Sequence, residues 1–151
     1  MKLPQWTSRR INPKFAQYRL RVGHSRVHRY GVFAVEDIPS DRKVIEYTGR
    51  RLPISRALAV RPPWDVYVAK LNFRWAIDPS RGGSGAQFIN HSCNPNLRWR
   101  RSGGSLYYYS RRKIRAGEEL TVNYRLPIKI QRVPCKCGDR KCRGTLRYVL
   151  T

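Results

Sequence analysis

Asn90-His91-Ser92-Cys93-Asn94-Pro95-Asn96 carries a cysteine about forty residues upstream of a second group, Cys135-Lys136-Cys137-Gly138-Asp139-Arg140-Lys141-Cys142. These are all four cysteines of the chain. A C-x-C-x4-C trio with one remote thiolate completes a tetrahedral four-sulfur set, as a structural Zn²⁺ requires. Buried or free thiols without metal are the alternative, and no cysteine is left over to favour them. With Cys93, Cys135, Cys137 and Cys142 all used, no position stays open for a catalytic water, so this one zinc is expected to be structural. It would close the C-terminal segment over whatever lies beside Asn90 and His91.

The remaining chemistry is sparse. The nine acids include no pair placed for glycosidase or two-metal work. Gly82-Gly83-Ser84-Gly85 lacks the Gly-Lys-Ser/Thr ending of a phosphate loop and reads as a turn. His24, His28 and His91 have no metal-ligand spacing among them, and Ser92 has no nucleophile-elbow context. Aromatic residues are plentiful: nine Tyr and four Trp, available for core packing, stacking or cation recognition.

The elements that must position these groups are short strands. Tyr18 to Val22 and Val32 to Val35 are β-rich and flank a turn region holding Gly23 and Gly31. Val44 to Thr48 is a strand stopped by Gly49. Ile54 to Val60 reads as a short helix ended by Pro62-Pro63. Val66 to Leu71 and Trp75 to Ile77 read as strands, and Arg81 to Gly85 as a glycine-rich loop. Leu97 to Arg100 and Leu106 to Tyr109 form a predicted hairpin turning at Ser102-Gly103-Gly104. Thr121 to Tyr124 is the last strand. The fold class is therefore mainly β, in one domain of 151 residues.

Charge is the strongest compositional signal: 32 Lys+Arg against 9 Asp+Glu, net +23. Such a surface attracts polyanions in a salt-sensitive way, so non-specific nucleic-acid attraction is expected. No helix-turn-helix or finger pattern suggests a sequence-specific reader. No apolar run is long enough to span a bilayer. Met1 to Gln17 lacks a secretory h-region and reads as a basic arm. Clustered cysteines then suit an intracellular, reducing setting.

Five segments, in order, resemble the SET-domain protein lysine methyltransferase family with its post-SET zinc tail. Arg29-Tyr30-Gly31-Val32-Phe33 is similar to G-x-G-[VL]-F. Glu46-Tyr47-Thr48-Gly49 is similar to E-Y-x-G. Ile77-Asp78-Pro79-Ser80, followed by Gly85 to Asn96, resembles I-D-A-T…A-R-F-I-N-H-S-C-x-P-N. Glu119 to Tyr124 resembles E-L-T-[FY]-D-Y, and Cys135 to Leu146 resembles C-x-C…C-R-G-x-L. The resemblance implies a β-clip-like fold of small curved sheets with a pseudoknot, in which the Asn-His-Ser-Cys segment threads beneath the loop leading to Tyr124. It divides the chain into a basic arm (1–17), a SET domain (18–127) and a post-SET zinc-binding tail (128–151). It implies S-adenosylmethionine as methyl donor and a lysine side chain on a histone or other nucleic-acid-associated basic protein as acceptor. Tyr124 and Tyr47 become the catalytic pair, lining the lysine channel with Val122. Tyr30, Gly31, Tyr67, Gln87, Asn90, His91 and Tyr124 become donor contacts. Arg29, Gln87, Val122 and Asn123 depart from the family pattern. Valine for Phe or Tyr at 122 implies a roomier pocket that does not stop at monomethylation. The location implied is nucleus and chromatin in a eukaryote, cytoplasm and nucleoid in a bacterium. A non-catalytic SET-like module that binds nucleic acid or chromatin is the alternative.

Overall fold

The computed structural model describes residues 9–57, 67–124 and 133–146. Ten short strands form three sheets. The first orders as β1 (Leu20–His24), β2 (Tyr30–Ala34), β10 (Glu119–Val122) and β7 (Asn90–His91). The second is β3 (Lys43–Tyr47), β9 (Ser105–Ser110) and β8 (Leu97–Ser102). The third is β4 (Arg50–Pro53), β6 (Trp75–Asp78) and β5 (Ala69–Lys70). One helical turn, α1 (Ile54–Ala57), follows β4, and 3-10 turns occur at Pro13–Phe15 and Ala86–Phe88.

Alternation explains most strand faces. β9 reads half-buried, buried, half-buried, buried from Ser105, so Leu106, Tyr108 and Ser110 face inward and Tyr107 and Tyr109 outward. A bulge between Lys43 and Ile45 breaks the β3 register against β9, which lets consecutive Val44 and Ile45 both reach the core, each fully buried. Val32, Ile38, Leu97, Ile114 and Leu120 complete a single apolar core.

The strand boundaries differ in places from the sequence reading. Gly23 is not in a turn: it lies in β1 opposite Gly31 of β2. The last strand stops at Val122, two residues before Tyr124. Arg50–Pro53, where no strand was expected, is β4, and it lies largely exposed beside β6. The predicted helix begins at Ile54, and its expected continuation through Val60 and the Pro62-Pro63 stop lie outside the described residues. The basic arm is docked from residue 9 onward: Asn12 N donates to Ser84 O (2.8 Å) and Gln17 N to Val44 O (2.9 Å), while Ala16 bridges Ile45.

The decisive topological feature is a parallel pairing of β7 with β10, Asn90 opposite Thr121 and His91 opposite Val122. Ser92 N extends it by donating to Val122 O (3.1 Å). The Asn-His-Ser-Cys segment and the chain entering Tyr124 thus lie side by side, the juxtaposition that the pseudoknotted fold requires.

Candidate active site and metal centre

Asn90 is the hub at this crossing. Its Nδ2 donates to Tyr30 O (2.8 Å), Glu119 Oε1 (2.8 Å) and Ser25 Oγ (3.1 Å). Ser25 Oγ in turn lies 2.7 and 2.9 Å from the two Glu119 carboxylate oxygens. The half-buried Glu119 carboxylate is thus held by the Asn90 amide and the Ser25 hydroxyl. Gly31 is required beside it, since a Cβ there would fall on the Glu119 carboxylate. The amide hydrogens of Asn90 are thus spent on these acceptors.

His91 is buried, at 3% exposure. Tyr124 N donates to its Nδ1 (3.1 Å), so the neutral ring carries its proton on Nε2, which lies 3.4 Å from Cys93 Sγ. Burial, reinforced by the Arg143 cation, lowers its pKa to about 4. The ring also packs edge-on to Tyr124, centroids 5.4 Å apart.

Tyr124 and Tyr47 are held alike. The Tyr124 hydroxyl donates to Ile89 O (2.8 Å), and the Tyr47 hydroxyl donates to Tyr67 O. Burial pushes both phenols far above their ordinary pKa, and the neighbouring Tyr108 adds to each. Tyr108 packs edge-on to Tyr47, centroids 6.0 Å apart. Tyr67 is raised chiefly by burial, with the Arg29 charge opposing. Four tyrosines therefore gather at one place, and Val122, Ile89 and Phe88 belong to the same buried cluster. The structure thus brings together Tyr30, Gly31, Asn90, His91 and Tyr124, with Tyr47 and Tyr67 alongside. Gln87 stands apart: its Oε1 accepts from Gly85 N (2.9 Å) and so closes the glycine-rich loop. Arg29 takes φ +35°, a conformation costly for any side chain but glycine.

Motif reading missed Ser25, Glu119 and Tyr108. The strict alternation of β9 was the available signal for Tyr108. Glu119 opens the Glu-Leu-Thr motif, which marked it without giving it a role, and Ser25 left no signal, because its partners are distant in sequence.

The four cysteine sulfurs lie within 4.8 Å of one another. Cys93 and Cys135 are 3.7 Å apart, close to the roughly 3.8 Å edge of a tetrahedron with about 2.3 Å Zn–S bonds. Amides point at the sulfurs: Arg143 N at Cys93 Sγ and Gly144 N at Cys142 Sγ, both 3.4 Å. Four thiolates cannot share this space without a cation between them, so the donor set fits a divalent metal. The tail is also tied to the crossing directly. Asn94 Nδ2 donates to Asp139 Oδ2 (3.2 Å), and Arg143 Nη2 to Asn123 Oδ1 (3.3 Å).

Comparison with known proteins agrees with this geometry. The SET-domain family model matches residues 29–125. Histone-lysine N-methyltransferase SETD1 of Drosophila melanogaster is 35% identical over 143 residues, covering 88% of this chain and 9% of that protein. SETD1B of Homo sapiens is 35% identical with 88% and 7% covered. The chain therefore spans under a tenth of the length of these relatives. Among solved structures, KRYPTONITE in complex with mCHG DNA and SAH superposes with a TM-score of 0.74 at 26% identity, over 87% of this chain and 29% of that one. KRYPTONITE with mCHH DNA, an H3(1-15) peptide and SAH gives 0.73. A family match spanning Arg29 to the residue after Tyr124, on a fold with this β7–β10 crossing, leaves one assignment: the chain belongs to the SET-domain family.

Proposed function

We propose that this chain is an S-adenosylmethionine-dependent protein-lysine N-methyltransferase. The observation that carries the reading is the matched pair of buried phenols. Tyr124 and Tyr47 commit their protons to backbone carbonyls, so each presents a hydroxyl oxygen as acceptor. A neutral lysine amine needs that: acceptors hold its N–H groups and leave its lone pair free to attack. The depth of both phenols keeps them uncharged at neutral pH, so neither acts as a base. An apolar, cation-rich setting lowers the pKa of an incoming lysine. S-adenosylmethionine, when bound, supplies an activated methyl group on a sulfonium. Asn90 Oδ1, the Tyr30–Gly31 backbone, the His91 segment and Tyr67 are the groups that would hold it, with Gln87 supporting the loop beside them. Val122 leaves space beside the amine, so transfer continues past one methyl.

Zn²⁺ would be held by Cys93, Cys135, Cys137 and Cys142 and would supply rigidity alone. The acceptor is a lysine on a histone or another basic protein embedded in a nucleic-acid complex, because a +23 enzyme repels an isolated basic tail. KRYPTONITE, a structural neighbour at 26% identity, has been crystallised with DNA and an H3 peptide, which supports this choice. A chromatin location follows in a eukaryote. Calorimetry with S-adenosylhomocysteine on the zinc-loaded chain tests the reading. Stoichiometric binding is expected; absence of binding leaves only a non-catalytic module of the same fold.

A further inference from the structure

We infer that the outward face of the β3–β9–β8 sheet binds single-stranded nucleic acid. The inference narrows the general polyanion attraction proposed above to one surface and one strand state, and it is independent of methyl transfer. The register places Lys43, Tyr109 and Arg98 in one row and Glu46, Tyr107 and Arg100 in the next, all on the face opposite the buried Leu106 and Tyr108. Tyr107 and Tyr109 are half-buried in the middle strand, two residues and so about 7 Å apart. Lys43 Nζ lies 4.1 Å from the Tyr107 ring centroid, and Arg100 Cζ lies 5.1 Å from that of Tyr109. Each ring thus sits under a cation that crosses diagonally from the neighbouring strand. Arg98 pairs with Asp41 at 2.8 Å.

Two outward aromatic rings at successive positions of a middle strand, bordered by cations, match what a single strand needs: stacking surfaces for bases and charges for phosphates. A cation over an exposed ring is held weakly, and a base stacking on the same ring is held more strongly. An arriving base therefore displaces Lys43 or Arg100, and each displaced cation gains a phosphate. Duplex DNA hides its base faces and cannot use the rings. A three-stranded sheet face also enters neither groove as a helix or two-stranded ribbon would. An acidic protein would use the cations but leave the rings idle.

The test is fluorescence anisotropy with labelled oligothymidylate and oligouridylate of about 20 nucleotides and a duplex of equal length, across a salt series. The Tyr107→Ala/Tyr109→Ala chain is expected to lose roughly 30-fold or more in single-strand affinity, with duplex affinity changed less than about threefold. Tyr107→Phe/Tyr109→Phe, which keeps the rings, retains single-strand binding. If the alanine pair lowers the melting temperature, Lys43→Gln/Arg100→Gln decides instead, with single-strand affinity lost and a shallower salt slope expected. Equal loss for single strand and duplex overturns the proposal, as does unchanged single-strand binding. Competition by polyglutamate as strong as by oligothymidylate of equal charge assigns the face to an acidic protein and overturns it too. Because the two sites are separate, a chain inactive in methyl transfer still gives the single-strand result.

Discussion

Tyr124 is built to orient, and its replacement separates orientation from folding. Tyr124→Phe removes the hydroxyl that donates to Ile89 O and that the proposed mechanism aims at the lysine amine, but it keeps the ring against His91. Turnover is expected to fall about 100-fold, as misplacement of a reacting group typically costs, while the melting curve and S-adenosylhomocysteine binding stay near wild type. The raised pKa of Tyr124 and Tyr47 predicts the pH profile. A phenol is neutral below its pKa, so raising that pKa extends the neutral range upward. Turnover at saturating donor should climb from pH 7 to about pH 9.5 as the substrate lysine deprotonates, with no descending limb from a tyrosine. A tyrosine-like fall near pH 9 would contradict it. Val122, fully buried, sets the third expectation: mass spectrometry should find products beyond monomethyl-lysine, and Val122→Tyr should shift them toward fewer methyls. The residues that carry a motif were legible in the sequence. Tyr47, Asn90, His91 and Tyr124 were named from it and lie together. Ser25 was not, and Glu119 was quoted in a motif without a role, because their meaning comes from one shared hydrogen-bond network across 94 residues. Arg29 was legible as a departure, and its positive φ is the backbone cost that departure implies.

The elements that position the site differ in how far sequence could reveal them. The β8–β9 hairpin announced itself through alternation and a Ser-Gly-Gly turn. Strand β7 could not, because two residues have no periodicity, and its parallel pairing with β10 joins segments thirty residues apart. β4 was masked by Arg50 and Arg51, exposed residues with no apolar alternation, and exists because β6 offers it a partner. The four-cysteine tail is a further positioning element. It grips the crossing through Cys93, Asn94–Asp139 and Arg143–Asn123. Removing the metal should therefore loosen the chain entering Tyr124 as well as the tail. Chelation, followed by proteolysis and by a donor-binding titration, is expected to show early cleavage within residues 133–146 and lowered donor affinity. Cys93→Ser, which removes one of the four sulfur donors, should reproduce both effects together with weakened metal binding. Unchanged donor affinity in the metal-free chain would separate the tail from the site.

At the scale of the whole molecule, charge governs what the chain meets. Five surface acids, Glu36, Asp37, Asp41, Asp78 and Glu118, each face an Arg or Lys within 3.4 Å. Exposed pairs of this kind add little stability, and they leave most of the 32 cations uncompensated. Composition made this legible, though not which face concentrates aromatic rings among the cations; that needed the strand register. The excess favours substrates presented on nucleic acid, with activity falling as salt rises. The most direct measurement is transfer of labelled methyl from S-adenosylmethionine by the zinc-loaded chain, offered reconstituted nucleosomes, free histone peptides and fractionated cell extract at low and raised salt. The predicted result is label on lysine side chains, stronger on nucleic-acid-bound protein than on free peptide and reduced by salt. Folded, metal-loaded protein that labels no lysine in any of these would contradict the account.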